Sequence, residues 1–128
     1  MPKIIGIDYG AKRVGIAVSD EASSIAFPHA TFANDRALMD TLLTLIRTTN
    51  ASTVVIGDSQ DANGNDNPIM KDARAFAEDL QKRAAVAVAY EPEFYTSQEA
   101  RQHTGKFAVD AEAAAIMLNS YLAKRVRL

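Results

Sequence analysis

Five acids stand where the apolar patterning of this chain breaks. Asp8 closes the run Ile4-Ile5-Gly6-Ile7, and Asp58 follows Val54-Val55-Ile56-Gly57. Glu91 and Glu93 flank Pro92 after the apolar run 84–90, and Asp110 opens the last apolar segment. A carboxylate left unpaired in apolar surroundings costs on the order of several kcal/mol. Such an acid is either a turn or cap residue bonded to nearby N–H groups, or an oxygen ligand for a cation. For Asp8 local context leaves both readings open. Glu91 and Glu93, each taken alone, read as solvated loop acids. Pro92 fixes its own φ and biases Glu91 towards extended backbone, so the two are expected to point differently. Asp110 alone reads as an acid favoured by the dipole of the helix it opens.

Acids from separate segments, in a chain with no cysteine and two histidines, suit hard oxygen-seeking ions such as Mg²⁺ or Mn²⁺ rather than zinc. Two such ions about 4 Å apart can activate a water and stabilise the leaving oxygen of a phosphodiester. His29 and His103 lack ligand-like spacing and are expected as ordinary strand and helix residues. "GIDYGAKRVG" contains neither a G-x-G-x-x-G fingerprint nor a Walker lysine, so its glycines serve tight turning and close packing as readily as phosphate binding.

Residues 3–8 and 13–19 read as strands joined through "YGAK", a hairpin. In the first, Ile5 and Ile7 share one face while Ile4, Gly6 and Asp8 share the other. A third strand is expected over Ile25–Phe32, with Pro28 confining it to an edge or a bulge. Leu38, Leu42, Leu45 and Ile46 recur at helical spacing over about 35–49, with Asn34 or Asp35 as cap. The strand 52–58 follows, then the polar stretch "SQDANGNDNP", expected as a mobile loop. Asn67 should cap the next helix, with Pro68 in its first turn and Ala73, Phe76, Ala77 and Leu80 as its buried stripe. A strand over 84–90 comes next, then a short helix at Thr96–Glu99 on capping-box spacing. The last helix, from about Val109 to Lys124, is expected to bury Ala113, Ile116, Met117 and Leu118. The order β-β-β-α-β-α-β-α-α predicts an α/β fold: a mixed five-stranded sheet, antiparallel over β1–β3 and then built by βα crossovers, flanked by helices. Sites in such sheets gather at the carboxyl ends of strands. Asp8, Asp58, Glu91 and Glu93 fall there.

The chain has 128 residues, 48% of them apolar and 23% charged, the balance of one soluble globular domain over 1–128. A net charge of -2 excludes a generic polyanion binder driven by massed Lys and Arg. Basic residues nevertheless gather at Lys12-Arg13 and at Lys124-Arg125-Val126-Arg127. No cysteine means no disulfide framework and no thiolate metal site. The start MPKIIGI lacks a signal-peptide pattern, and no apolar segment approaches the roughly 20 residues that span a bilayer. A cytoplasmic protein without membrane contact is expected.

"GIDYGAKRVGIAVSD", "VVIGDSQDANGNDN", "EFYTSQEAR" and "VDAEAAAIML" occur in the order seen in the YqgF (RuvX) family. The resemblance covers essentially the whole chain and implies the RNase H-like fold of Holliday junction resolvases and pre-16S rRNA nucleases. It implies three metal-binding catalytic acids, matched here by Asp8, Glu93 and Asp110. The middle one follows from aligning Thr96, Ser97, Glu99 and Ala100 with the family pattern, which leaves Pro92 and Phe94 where an Asp and an Arg are usual. Glu91 is then a decoy or a supplementary acid. Asp58 lies in Gly57-Asp58-Ser59, where the family has Gly-Leu-Pro. Lys12 and Arg13 match the family's "GxKRxG" and are candidates for nucleic-acid phosphate contacts; solvated hairpin residues is the competing reading.

The resemblance implies a nuclease dependent on Mg²⁺ or Mn²⁺ that cleaves structured nucleic acid. The expected substrate is the 5′ region of pre-16S rRNA, within a ribosomal precursor particle. Cleavage of branched DNA, for which a homodimer is expected, and a non-catalytic RNA-binding adaptor are the alternatives. "GIDYG" also resembles the phosphate-binding start of the actin and sugar-kinase superfamily, which needs two such domains around a cleft.

Overall fold

Alternating apolar residues give each central strand two buried faces, and the helices divide between them. The computed structural model describes residues 2–93 and 109–126. Within these, β1 (Ile4–Tyr9), β2 (Arg13–Ser19), β3 (Ala26–Ala33), β4 (Thr53–Ser59) and β5 (Ala87–Glu93) form one sheet in the order β3-β2-β1-β4-β5. The pairs β1–β2 and β2–β3 are antiparallel, while β1–β4 and β4–β5 are parallel. Helices α1 (Leu38–Thr49) and α2 (Ile69–Arg83) cover one face, and α3 (Val109–Val126) covers the other. This is the expected mixed five-stranded sheet. No helix among the described residues is long and apolar enough to cross a membrane.

Side-chain alternation assigns the faces. Ile5, Ile7, Val14, Ile16, Val54 and Ile56 pack with Leu38, Leu42, Met70 and Leu80 under α1 and α2. Ile4, Ala17, Ala26 and Val55 pack with Ala114, Met117, Leu118 and Leu122 of α3. The α3 side is lined by smaller residues, so that helix can lie close. Burying each large aliphatic side chain contributes about 1.5–3 kcal/mol. Asn119 fastens the same helix to β3: its Oδ1 accepts the Ala26 N–H at 2.8 Å and its Nδ2 donates to the Ala26 carbonyl at 3.1 Å.

Several local expectations need correction. Ile116 is exposed, because the face of α3 that meets the sheet is set by Ala111, Ala114, Leu118 and Leu122. Glu91 and Glu93 do not follow their strand but lie within it, and β4 runs one residue past Asp58 to Ser59. β5 is an edge strand, so the missing N–H of Pro92 is tolerated, and two-residue alternation turns Glu91 and Glu93 to the same face rather than apart. Pro28 also lies on an edge strand, beside a bulge where β2 slips against β3 between Ile16 and Ala17.

Neither α1 nor α2 has a side-chain N-cap. Asp35 Oδ1 instead accepts the Ala37 N–H at 2.9 Å just ahead of α1, while Asn34 Nδ2 reaches the Gly10 carbonyl at 2.8 Å. Asn67 ties its Nδ2 to Ser59 Oγ at 2.9 Å. The polar 60–67 stretch is closed on itself. Asp61 Oδ1 accepts the N–H groups of Asn63 (2.9 Å) and Asn65 (3.0 Å), and Gly64 takes φ +82° to complete the turn. The helix expected at Thr96–Glu99, and His103, lie outside the described residues.

Two substitutions test how α3 is seated. Leu118→Ala removes a fully buried side chain and should cost about 2–5 kcal/mol. Gly15→Ala places a methyl where the Asp110 backbone lies and should cost about 1–3 kcal/mol by overpacking. Urea denaturation of both variants measures the losses, and wild-type stability in Gly15→Ala would contradict the packing described.

Candidate functional site

Asp8 stands between two glycines. On β2 it pairs with Gly15. On β4 the register runs from Ile4 opposite Thr53 to Ile7 opposite Ile56, and the same offset sets Asp8 level with Gly57. Paired residues point to the same face, so the row Gly15–Asp8–Gly57 faces α3.

Each glycine makes room for one further acid. A Cβ on Gly15 would overlap the carbonyl oxygen of Asp110 and lie 2.8 Å from the Ala111 nitrogen. The first turn of α3 therefore rests directly on β2, beside Asp8. A Cβ on Gly57 would overlap the Glu93 carboxylate, with Oε1 at 2.9 Å. Glu93, the last residue of β5 and only 6% exposed, folds its carboxylate back over β4 at the level of Asp8. Asp8, the Glu93 carboxylate and the first turn of α3 that bears Asp110 thus meet on one face, along one row. Among the described residues, no three Asp, Glu or His side chains close into a group that could hold a metal ion together. The arrangement is a shared row of hard oxygen donors rather than a finished cage. Its all-carboxylate chemistry fits Mg²⁺ or Mn²⁺ and not zinc.

Carboxylates gathered this way repel one another, and the surroundings supply cations. Arg13 lies two residues before Gly15 on β2 and so points to the same face. Its Nε is 3.1 Å from Asp110 Oδ2. Lys12 is exposed in the hairpin connection, where its carbonyl accepts the Asn34 N–H at 2.9 Å.

Glu91 has a different task. It is 3% exposed, and its Oε2 accepts from Lys124 Nζ at 2.6 Å and from Ser120 Oγ at 3.0 Å. This buried acid ties the far half of α3 to β5. Asp58 projects to the opposite face, towards α2. There Arg74 Nη2 lies 3.3 Å from Asp58 Oδ2 and 3.0 Å from Asp66 Oδ2, with its guanidinium 4.7 Å from the centre of the Tyr90 ring. Burial pushes the Asp58 carboxyl above its usual range, and neighbouring Asp66 pushes it the same way. Hydrogen bonds from Asp58 and Arg74 lower that of Asp66. The added acid of Gly57-Asp58-Ser59 therefore anchors the 60–67 turn to α2. His29 lies on β3, exposed and far along the sheet order from β5.

Sequence reasoning named Asp8, Glu93 and Asp110 but missed the two glycines that let them share a row. The signal was present in β2, where Gly15 and Ala17 alternate with Val14, Ile16 and Val18. The partners of Glu91 and Asp58 lie 33 and 16 residues away along the chain, beyond the reach of local spacing.

Comparison with solved structures supports the architecture. Thermus thermophilus RuvC in complex with a Holliday junction substrate superposes with a TM-score of 0.58 at 14% identity, over 99% of this chain and 97% of that one. Fowlpox virus resolvase with Holliday junction DNA gives 0.56 at 12% identity, over 98% and 99%. At these identities the likeness shows the fold alone, which is RNase H-like. Among curated sequences, a Salinibacter ruber protein named "Putative pre-16S rRNA nuclease" is 34% identical over 132 aligned positions, covering 94% of this chain and 92% of the relative. A Rickettsia typhi protein of the same name is 29% identical, covering 93% and 83%. The family model described as "RuvX: Holliday junction resolvase" matches residues 2–124. With nearly its whole length accounted for by that match, the chain belongs to the RuvX family.

Proposed function

We propose that this chain is a single-domain, divalent-metal-dependent nuclease that hydrolyses phosphodiester bonds in structured nucleic acid, with the 5′ end of pre-16S rRNA as its substrate. The observation that carries the reading is the row Gly15–Asp8–Gly57, which gives the Asp110 backbone and the Glu93 carboxylate their places on either side of Asp8. The names of curated relatives, one of them 34% identical over nearly the full length, favour the RNA substrate. The DNA junctions belong to structural neighbours at 14% identity or less and to the wording of the family description.

Asp8, Glu93 and Asp110 would hold one or two Mg²⁺ or Mn²⁺ ions. A bound ion of this kind supplies Lewis-acid polarisation of the phosphate and activation of water. The chain's own residues do the rest. The central strand β1 holds Asp8 rigidly, between paired neighbours on both sides. Arg13 and Lys12 border the row from the hairpin side, where they can receive the phosphate backbone and offset its charge. Gly15 sets the height of Asp110 above the sheet, while Glu91 and Lys124 hold the far half of α3 against β5. A cytoplasmic protein acting on a ribosomal precursor particle fits this reading, and cleavage of a four-way DNA junction would call for a symmetric homodimer.

Asp8→Asn and Glu93→Gln should each lower Mg²⁺- or Mn²⁺-dependent cleavage of a 5′-extended 16S precursor by at least roughly 100-fold, with unfolding midpoints kept. Glu91→Gln should do the reverse, reducing stability by about 1 kcal/mol and leaving cleavage within a few-fold. Parallel assays on the RNA precursor and a four-way DNA junction decide the substrate. Full activity of Asp8→Asn would sink the mechanism. Inactivity of the wild type on every substrate, with RNA binding retained, would favour an adaptor.

A further inference from the structure

Arg13 opens β2 on the face of the acid row, one alternation before the glycine that carries the Asp110 backbone. Its Nε lies 3.1 Å from Asp110 Oδ2, an oxygen of the proposed ion site that is buried and takes part in no hydrogen bond, so the two form an ion pair without an aligned N–H. The arginine side chain is 51% exposed while the Asp110 side chain is 23% exposed. The guanidinium can therefore swing outward without unpacking the core. The acid stays fixed by the helix seated on Gly15.

A guanidinium and a divalent ion compete for one oxygen, since two cations a few ångströms apart repel strongly when partly shielded from water. A partly exposed ion pair is also weak enough to exchange. We propose, resting on the metal-dependent reading above, that Arg13 is the exchangeable counter-ion of Asp110. It neutralises the carboxylate until a divalent cation takes that oxygen, and the displaced guanidinium then pairs with a phosphate of the nucleic acid. Ion loading and substrate binding become linked through one side chain. The planar fork of arginine suits the second role, because it can donate two parallel hydrogen bonds to a phosphate.

The test is direct Mn²⁺ binding to the full chain, followed by electron paramagnetic resonance, in wild type, Arg13→Gln, Arg13→Lys and Lys12→Gln. Arg13→Gln should bind Mn²⁺ about threefold tighter, the scale of losing a weak competing ion pair. Lys12→Gln removes the same charge from the adjacent position and should leave the affinity unchanged; Arg13→Lys should fall between wild type and Arg13→Gln. Mg²⁺ titration of the wild type should shift the Arg13 Nε–H resonance in step with ion occupancy. If Arg13→Gln binds no tighter than wild type, or Lys12→Gln gains as much, the exchange is wrong while the metal-dependent reading stands. If wild type binds no Mn²⁺ and the Arg13 resonance is indifferent to Mg²⁺, both fall together.

Discussion

The approach of α3 to β2 at Gly15 is the contact on which the rest of the site depends. Asp110 belongs to a helix, and helices normally pack on a sheet at the distance set by the intervening side chains. Here the first turn of α3 occupies the space that any side chain at position 15 would need. The backbone of Asp110 therefore sits beside the paired position, Asp8, instead of a full side-chain layer above it. Gly57 repeats the device from the other flank, where the Glu93 carboxylate fills the missing side chain. The two glycines leave gaps on either side of Asp8: the Glu93 carboxylate, from edge strand β5, fills one, and the Asp110 backbone, from α3, fills the other.

Gathering acids has an electrostatic cost, and the fold sorts its carboxylates by face to contain it. Asp8, Glu91, Glu93 and Asp110 lie on the α3 side, where Arg13 and Lys124 are the cations recorded against Asp110 and Glu91. Asp58 and Asp66 share Arg74 on the α2 side. A one-residue shift in register would exchange the two sets, since alternate residues face opposite ways. The buried apolar residues on both faces hold the register, so core packing and site composition are specified by the same alternation. Glu91 and Glu93 show how fine that sorting is. They share a face two residues apart, yet one is committed to Lys124 and Ser120 on α3 while the other lies over Gly57 at the level of Asp8.

Much of this was legible in the sequence. Hairpin, crossovers and helices follow from period-two and helical apolar spacing, and the mixed five-stranded sheet was expected. Asp8 and Asp110 stand out at breaks in such a pattern, but local context left their roles open; it was the resemblance of the motifs around Asp8, Glu93 and Asp110 to those of the family that singled out the three together. What spacing could not give was contact across the fold. Glu91 looked like a loop acid because Lys124 lies 33 residues on. Ile116 looked buried because α3 is apolar around much of its circumference, and only the small residues of the sheet decide which side lies down. Strand ends were placed too early at β5 because Pro92 reads as a breaker, whereas an edge strand accepts it.

A crystal of the wild-type protein grown with Mn²⁺, with data collected near the manganese absorption edge, tests the central claim most directly. An anomalous peak on the α3 face, above the row Gly15–Asp8–Gly57 and within ligand reach of Asp8, Glu93 and Asp110, is the predicted result. A peak confined to the Asp58–Asp66 side, or a fully loaded crystal with no peak over that row, would contradict the account.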